Sequence, residues 1–150
     1  MSEIVHATAI LAGAHGILIR GPSGSGKSTL AAALIRQGAR VVADDSVHLS
    51  ALGDRLVATQ VGPHGGRMEV CGRGIVDAAA ERSAVIRIVA DLVDHATLER
   101  MPEESEMLTE VLGVRLPRQP LPARSAVAAA LMDSALGALH LDWRRGLRSA

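Results

Sequence analysis

The sequence predicts an α/β fold: a phosphate-binding loop between one strand and one helix, a strand-rich middle and a C-terminal helix. Three observations carry this. The first is Gly21-Pro22-Ser23-Gly24-Ser25-Gly26-Lys27-Ser28, which reads G-x-x-x-x-G-K-[ST]. Its glycines let successive backbone N–H groups turn inward as an anion-binding concavity. The N-terminus of the next helix adds partial positive charge. Lys27 is spaced to reach the β- and γ-phosphates of a nucleotide, and the Ser28 hydroxyl to hold Mg²⁺. The second observation is the flanks. Gly16-Ile17-Leu18-Ile19-Arg20 is a short apolar run that reads as a buried strand, and residues 29–37 are rich in helix formers and stop at Gly38. The third is that the alternation of an ordinary nucleotide-binding domain then ceases. The next roughly 60 residues read mainly as strand and turn.

Taken in order, residues 4–11 (IVHATAIL) are β-prone, and the turn at 12–16 makes them a hairpin with the strand that feeds the phosphate loop. The helix over 27–37 has Leu30, Ala33 and Leu34 on its apolar stripe. Arg40-Val41-Val42-Ala43 is the next buried strand, closed by Asp44-Asp45. Residues 47–49 and 55–58 alternate around Gly53-Asp54, a second hairpin signal, and 61–66 is a loop by composition. Residues 67–75 resume alternation, interrupted by Gly72 and Gly74, and 83–93 is a strongly apolar β-like run. Residues 94–105 read as loop or short helix, and 108–116 fits strand or helix. Pro117, Pro120 and Pro122 then force an extended segment. Residues 124–141 form an amphipathic helix with Val127, Leu131, Ala135 and Ala138 on one stripe, and Arg144, Arg145 and Arg148 make a solvated basic tail. No internal repeat or boundary divides the chain, so one domain over residues 1–150 is expected.

Composition excludes several classes. Apolar residues make up 48% of the chain, so it is not disordered. Trp143 is the one aromatic, and formal net charge is zero. Neither base-stacking platforms nor a basic field is on offer, which argues against a nucleic-acid partner. No apolar run approaches the roughly 20 residues of a membrane helix, and no signal pattern precedes the first strand. A single cysteine, Cys71, points to a reducing, cytoplasmic setting.

The residues that can do chemistry cluster in sequence around the loop. Asp44-Asp45 close the strand after the helix, and ligands in α/β sheets sit outside such strand ends. One carboxylate there can face a metal–nucleotide, and one can take a proton from an attacking hydroxyl. Glu69 shares the polar face of its strand with Arg67 and Cys71, beside glycines that allow close backbone approach. His6 sits in an apolar strand. The other histidines, at 15, 48, 64, 95 and 140, show no metal-ligand spacing, and Cys71 has no cysteine partner.

His-Ala-Thr-Ala (6–9), the loop at 21–28, Val-Ala-Asp-Asp (42–45) and Glu69-x-x-Gly72-x-Gly74-Ile75, in that order, resemble the HPr kinase/phosphorylase family. The likeness covers that family's catalytic, C-terminal domain, in the short form known from α-proteobacteria. It implies a phosphate-loop core of the phosphoenolpyruvate-carboxykinase type. It also implies a hexameric enzyme that uses ATP and Mg²⁺ to phosphorylate a serine of an HPr-type phosphocarrier of a phosphotransferase system. The same enzymes reverse the reaction with inorganic phosphate, releasing pyrophosphate. By the resemblance His6 lies near the transferred phosphate, Lys27 is the loop lysine, Ser28 and Glu69 are Mg²⁺ ligands, and Asp45 is the acid–base residue with Asp44 its partner. Arg100 matches an arginine tied to dephosphorylation. Two positions depart from the family pattern: Cys71 stands where an arginine is usual, and Pro122-Ala123-Arg124-Ser125 lacks the Gly-Arg that normally follows. Both fall in stretches linked to the reverse reaction, so kinase activity with weakened phosphorylase activity is expected. Two rivals are a small-metabolite kinase of the shikimate or gluconate type, which needs further strand–helix repeats, and a regulatory domain that senses ATP without transferring phosphate.

Overall fold

The computed structural model describes residues 1–62, 67–70, 74–98 and 103–138. Eleven strands and two helices are seen among them, with short 3-10 turns at His95–Thr97 and Glu104–Met107. The hairpin before the phosphate loop is present, but residues 4–11 are two strands. These are β1 (Ser2–His6) and β2 (Thr8–Ala12), followed by β3 (His15–Arg20) and α1 (Lys27–Ile35). The break at Ala7 interrupts one antiparallel ladder. β1 pairs antiparallel with β5 (Ser46–Leu52), whereas β2 pairs with β3 and with β4 (Arg40–Ala43). Ala7 N–H donates to Asp45 O at 3.2 Å, and Asp45 itself takes φ 73. Residues 2–12 thus face one partner segment, 40–52, in a single register on both sides of the break (Ala9↔Ala43, His6↔Ser46), and the ladder is interrupted where Ala7 meets the left-handed Asp45.

β6 (Arg55–Gln60) completes the second hairpin expected from Gly53-Asp54. β7 (Arg67–Val70) and β8 (Gly74–Asp77) form a separate two-stranded sheet. β9 (Ser83–Val93) is the spine of the main sheet. Its N-terminal half pairs antiparallel with β6, while β3 pairs parallel on its other flank. β10 (Leu108–Val111) and β11 (Val114–Pro122) form a hairpin, which settles 108–116 as strand. The second half of β11 runs parallel to the second half of β9. The main sheet has nine strands, in the order β1-β5-β6-β9-β3-β2-β4 with β10–β11 beside β9. Among the described residues after α1, the strands follow one another mainly as antiparallel hairpins, with β9 parallel to β3 and β11, and strand–helix repeats are not seen.

Three prolines inside β11 look like breakers, yet they fit. Ala123 N–H donates back to Val93 O at 2.8 Å. Alternation then turns the nitrogens of Pro120 and Pro122 away from β9, to the unpaired side where no donor is needed.

A core lies on each face of the sheet. Ile17 and Ile19 point to the helix side, with Leu30, Ala31 and Leu34 of α1 and Met132 and Leu136 of α2 (Ala128–Ala138); Leu18 points to the other side, with Val42, Val47, Leu56 and Val114. Strands buried on both faces read as continuous apolar runs, as 17–19 and 88–90 do. A bulge at Arg87 lets Ile86 and Val89 share the second core while Ile88 faces the helices, because Gly16 pairs with Ile86 and Ile17 with Ile88.

Gly16 is where this bulge meets β3. A Cβ there would stand 2.4 Å from Val85 O and 2.9 Å from Val85 C, both backbone atoms. Gly16→Ala is expected to cost about 2–3 kcal/mol by forcing the strands apart. Thermal or urea unfolding reads this, and an unchanged midpoint would refute the close approach.

Two helix stripes need correction. In α1 the buried residues are Lys27, Leu30, Ala31 and Leu34, with Ala33 only half-buried. In α2 the buried stripe is Ala128, Met132 and Leu136, one residue along from the expected one, and Val127 and Leu131 are exposed. The helix is apolar on several sides, so periodicity alone did not define its inner face. It also starts at Ala128 and not at 124, because Arg124 takes φ 53. Loop 61–66 beyond Gly62, Cys71, Arg73, Arg100, Trp143 and the basic tail lie outside the described residues, as do the side chains of Glu69 and Val70.

Candidate active site at the phosphate loop

β3 delivers the chain to Gly21 at the carboxyl end of the sheet, where β9 and β11, parallel to it, also end. Gly24 (φ 79) and Gly26 (φ 100) hold left-handed backbone that other residues rarely adopt, and Gly26 is the N-cap of α1. A Cβ at Gly24 would meet no heavy atom of the described residues within 4 Å, so they leave the space over the loop tip open. Ser25 is fully buried, and its Oγ finds no hydrogen-bond partner among the described residues. Lys27 is buried too, its Nζ donating to Gly21 O at 2.8 Å and Pro22 O at 3.1 Å. The ammonium is thus held against the loop's own carbonyls, at the base of the cradle.

Asp44 ties the loop to the sheet. Its Oδ1 accepts from Ser28 Oγ at 2.8 Å and from Thr8 Oγ1 at 2.9 Å. A hydroxyl and a carboxylate oxygen so close are the hard-oxygen donors that Mg²⁺ takes, so the residues present fit that ion. Glu69 belongs to β7, which packs against α1 through the buried Met68. Asp45 points elsewhere: His6 Nδ1 lies 3.1 Å from its Oδ1, and both side chains are open to solvent, at 48% for the histidine and 78% for the aspartate. The left-handed turn at Asp45 is what separates the two neighbouring carboxylates, one to the loop serine and one to the histidine. The structure therefore brings together His6, Lys27, Ser28, Asp44 and Asp45.

Two residues near the loop escaped the sequence. Thr8 is fully buried and holds Asp44, and its alternation with His6 across Ala7 was the available signal. Arg124 N–H donates to Ser25 O at 2.9 Å, a contact across 99 residues that no local pattern announces. Behind the loop, Asp91 accepts from Arg20 Nε and Nη2, each at 2.8 Å, and from Arg118 Nε. Arg20 also reaches Thr109 Oγ1, and Arg118 reaches Glu106 O. This cluster pins the exit of β3 into Gly21. Burial would raise the Asp91 pKa, but hydrogen bonds from Arg20 and Arg118, then their charges, hold it below the usual carboxylate value.

No helix among the described residues is long and apolar enough to cross a membrane. The model of the HPr serine kinase C-terminal domain matches residues 1–147. The chain is 33% identical over 118 residues to an HPr kinase/phosphorylase of Chlorobium phaeobacteroides, covering 71% of this chain and 34% of that protein. It is 29% identical over 131 residues to an HPr kinase/phosphorylase of Malacoplasma penetrans, covering 80% and 43%. The chain thus spans well under half the length of these curated relatives. In fold it is similar to the Hpr(Ser) kinase/phosphatase of Coxiella burnetii, with a TM-score of 0.80 at 23% identity, over 93% of this chain and 97% of that one. The mixed sheet, the two helices and the ordered motifs have one family in common, and this chain belongs to the HPr serine kinase C-terminal domain family.

Proposed function

We propose that this chain is an ATP- and Mg²⁺-dependent serine kinase acting on an HPr-type phosphocarrier. It would be a cytoplasmic catalytic domain over residues 1–150, of the short α-proteobacterial form and the phosphoenolpyruvate-carboxykinase-like type, working as a hexamer. One observation carries the reading: a carboxylate backed by a histidine, Asp45 and His6, stands beside a second carboxylate, Asp44, that holds the phosphate-loop serine. A solvent-open acid is what a kinase needs when its acceptor hydroxyl arrives on another protein.

In this reading the loop amides and Lys27 bind the nucleotide phosphates, Lys27 turning from the carbonyls of Gly21 and Pro22 to do so. Ser28, Asp44 and Glu69 would hold Mg²⁺, which neutralises phosphate charge when bound. Asp45 takes the serine proton, and His6 orients Asp45. In the reverse direction Asp45 returns the proton and Arg100 acts with it. The test is transfer of label from ATP to purified carrier, with small metabolites offered in parallel. Label on a metabolite supports a metabolite kinase, and binding without transfer supports a sensor.

Cys71 in place of arginine and the missing Gly-Arg after Pro122 support weak reversal. Incubating the serine-phosphorylated carrier with inorganic phosphate is expected to release pyrophosphate at least about tenfold more slowly than the forward turnover. Release as fast as forward transfer would contradict this.

A further inference from the structure

Arg124 has a fixed stem and a loose head. Ala123 N–H bonds Val93 O, and Arg124 N–H bonds Ser25 O, so the chain leaving β11 is latched to the phosphate loop itself. The fit is close: a Cβ at Gly26 would stand 3.6 Å from Arg124 N and 3.7 Å from its Cα. Arg124 also holds φ 53, a backbone state that a non-glycine residue keeps only when its surroundings impose it. The guanidinium, by contrast, is 62% exposed. Its Nη1 lies 3.4 Å from Gly24 O, at the loop tip, and its Nη2 lies 3.6 Å from Asp94 Oδ1. Both contacts are long, and an exposed pair of this kind contributes little to stability. The latch anchors a cation over the open side of the loop and leaves it free to swing.

We propose that Arg124 is a catalytic residue, whose guanidinium leaves Asp94 when nucleotide binds and closes on the terminal phosphate. The proposal rests on the kinase reading above. In the transfer step a bond forms between the serine oxygen and the γ-phosphorus. The bond from that phosphorus to the β–γ bridging oxygen breaks, and its electron pair stays with ADP. The serine proton passes to Asp45. Negative charge gathers on the γ-phosphoryl oxygens and the bridging oxygen, where a planar fork of N–H donors is most effective. Lys27 is held at Gly21 and Pro22, and Arg124, at Gly24, supplies a second positive charge. Asp94 holds the arginine ready beside the loop.

Arg124→Gly is the informative variant, because glycine adopts φ 53 without strain and the fold is kept. Turnover with a serine-bearing carrier is expected to fall by about 10²–10³-fold. Affinity for Mg-ATP should fall several-fold while that for Mg-ADP stays level, since ADP lacks the phosphate that Arg124 reaches. Guanidinium ion, well below denaturing concentration, should restore part of the turnover. Arg124→Lys should restore less than the parent fork provides. Parental turnover and a parental ATP-to-ADP ratio in Arg124→Gly would overturn the proposal. Should that variant melt below assay temperature, Arg124→Lys decides: values equal to the parent in both measurements overturn the role, and a reduced turnover with a lost ATP preference supports it. Should the parent bind ATP yet label no carrier, the kinase reading fails. The ATP-to-ADP ratio then still decides whether Arg124 touches the terminal phosphate.

Discussion

Asp45→Asn is expected to reduce phosphoryl transfer by about 10³-fold while leaving ATP affinity within about twofold. The asymmetry follows from where Asp45 points. Its carboxylate faces His6 and solvent, whereas Asp44 holds the phosphate loop through Ser28. Asparagine has the same shape but accepts no proton, so on the proposed role it removes the base and leaves the cradle. Folding should be spared, because asparagine tolerates left-handed backbone such as φ 73 better than most residues. His6→Ala should cost less, about tenfold, since it removes the orienting partner and not the base. Steady-state kinetics with a nucleotide titration separate these effects. An Asp45→Asn enzyme with parental turnover would strip Asp45 of its role.

Asp91→Ala is expected to be the most destabilising change in the loop's support, at about 3 kcal/mol or more. It leaves the guanidinium groups of Arg20 and Arg118, both part-buried, without their shared carboxylate. Because Arg20 immediately precedes Gly21, KM for ATP should rise as well. The pH dependence has a definite sign. The Asp91 pKa is lowered in the folded chain, so the unfolded chain binds more protons as pH falls past the ordinary value of 3.8. The stabilisation is fully present above that value and is lost as pH falls through the folded one. Urea unfolding of parent and variant should show a wide gap near neutral pH that narrows below about pH 4. A constant gap across that range would contradict the ion-pair account.

The geometry of the loop was legible because it is written in local chemistry: glycines, a lysine, a hydroxyl and a helix start. Asp44 and Asp45 were legible because a strand end beside that loop is where ligands sit. The contact each makes was not, since it depends on a left-handed turn at Asp45 where the ladder with residues 2–12 is interrupted. Strand pairing was the larger gap. Residues 83–93 read as one apolar run, but the bulge at Arg87 and the three partner strands of β9 are long-range facts. Asp91 sat inside that run with nothing to flag its two arginines. Pro117, Pro120 and Pro122 suggested an extended segment, and only the one-sided pairing of β11 explains how a strand carries them. In α2, alanine and leucine on several sides left the inner face to be set by packing against α1 and β11.

The most direct test of the central claim is the fate of the γ-phosphate. Incubate the chain with Mg²⁺, ATP and a purified HPr-type carrier, and map the modified residue by mass spectrometry. Phosphate is expected on one serine of the carrier, lost when that serine is replaced by alanine and lost with Asp45→Asn enzyme. An unmodified carrier, with ATP bound but intact or its phosphate delivered to a small metabolite, would contradict the account.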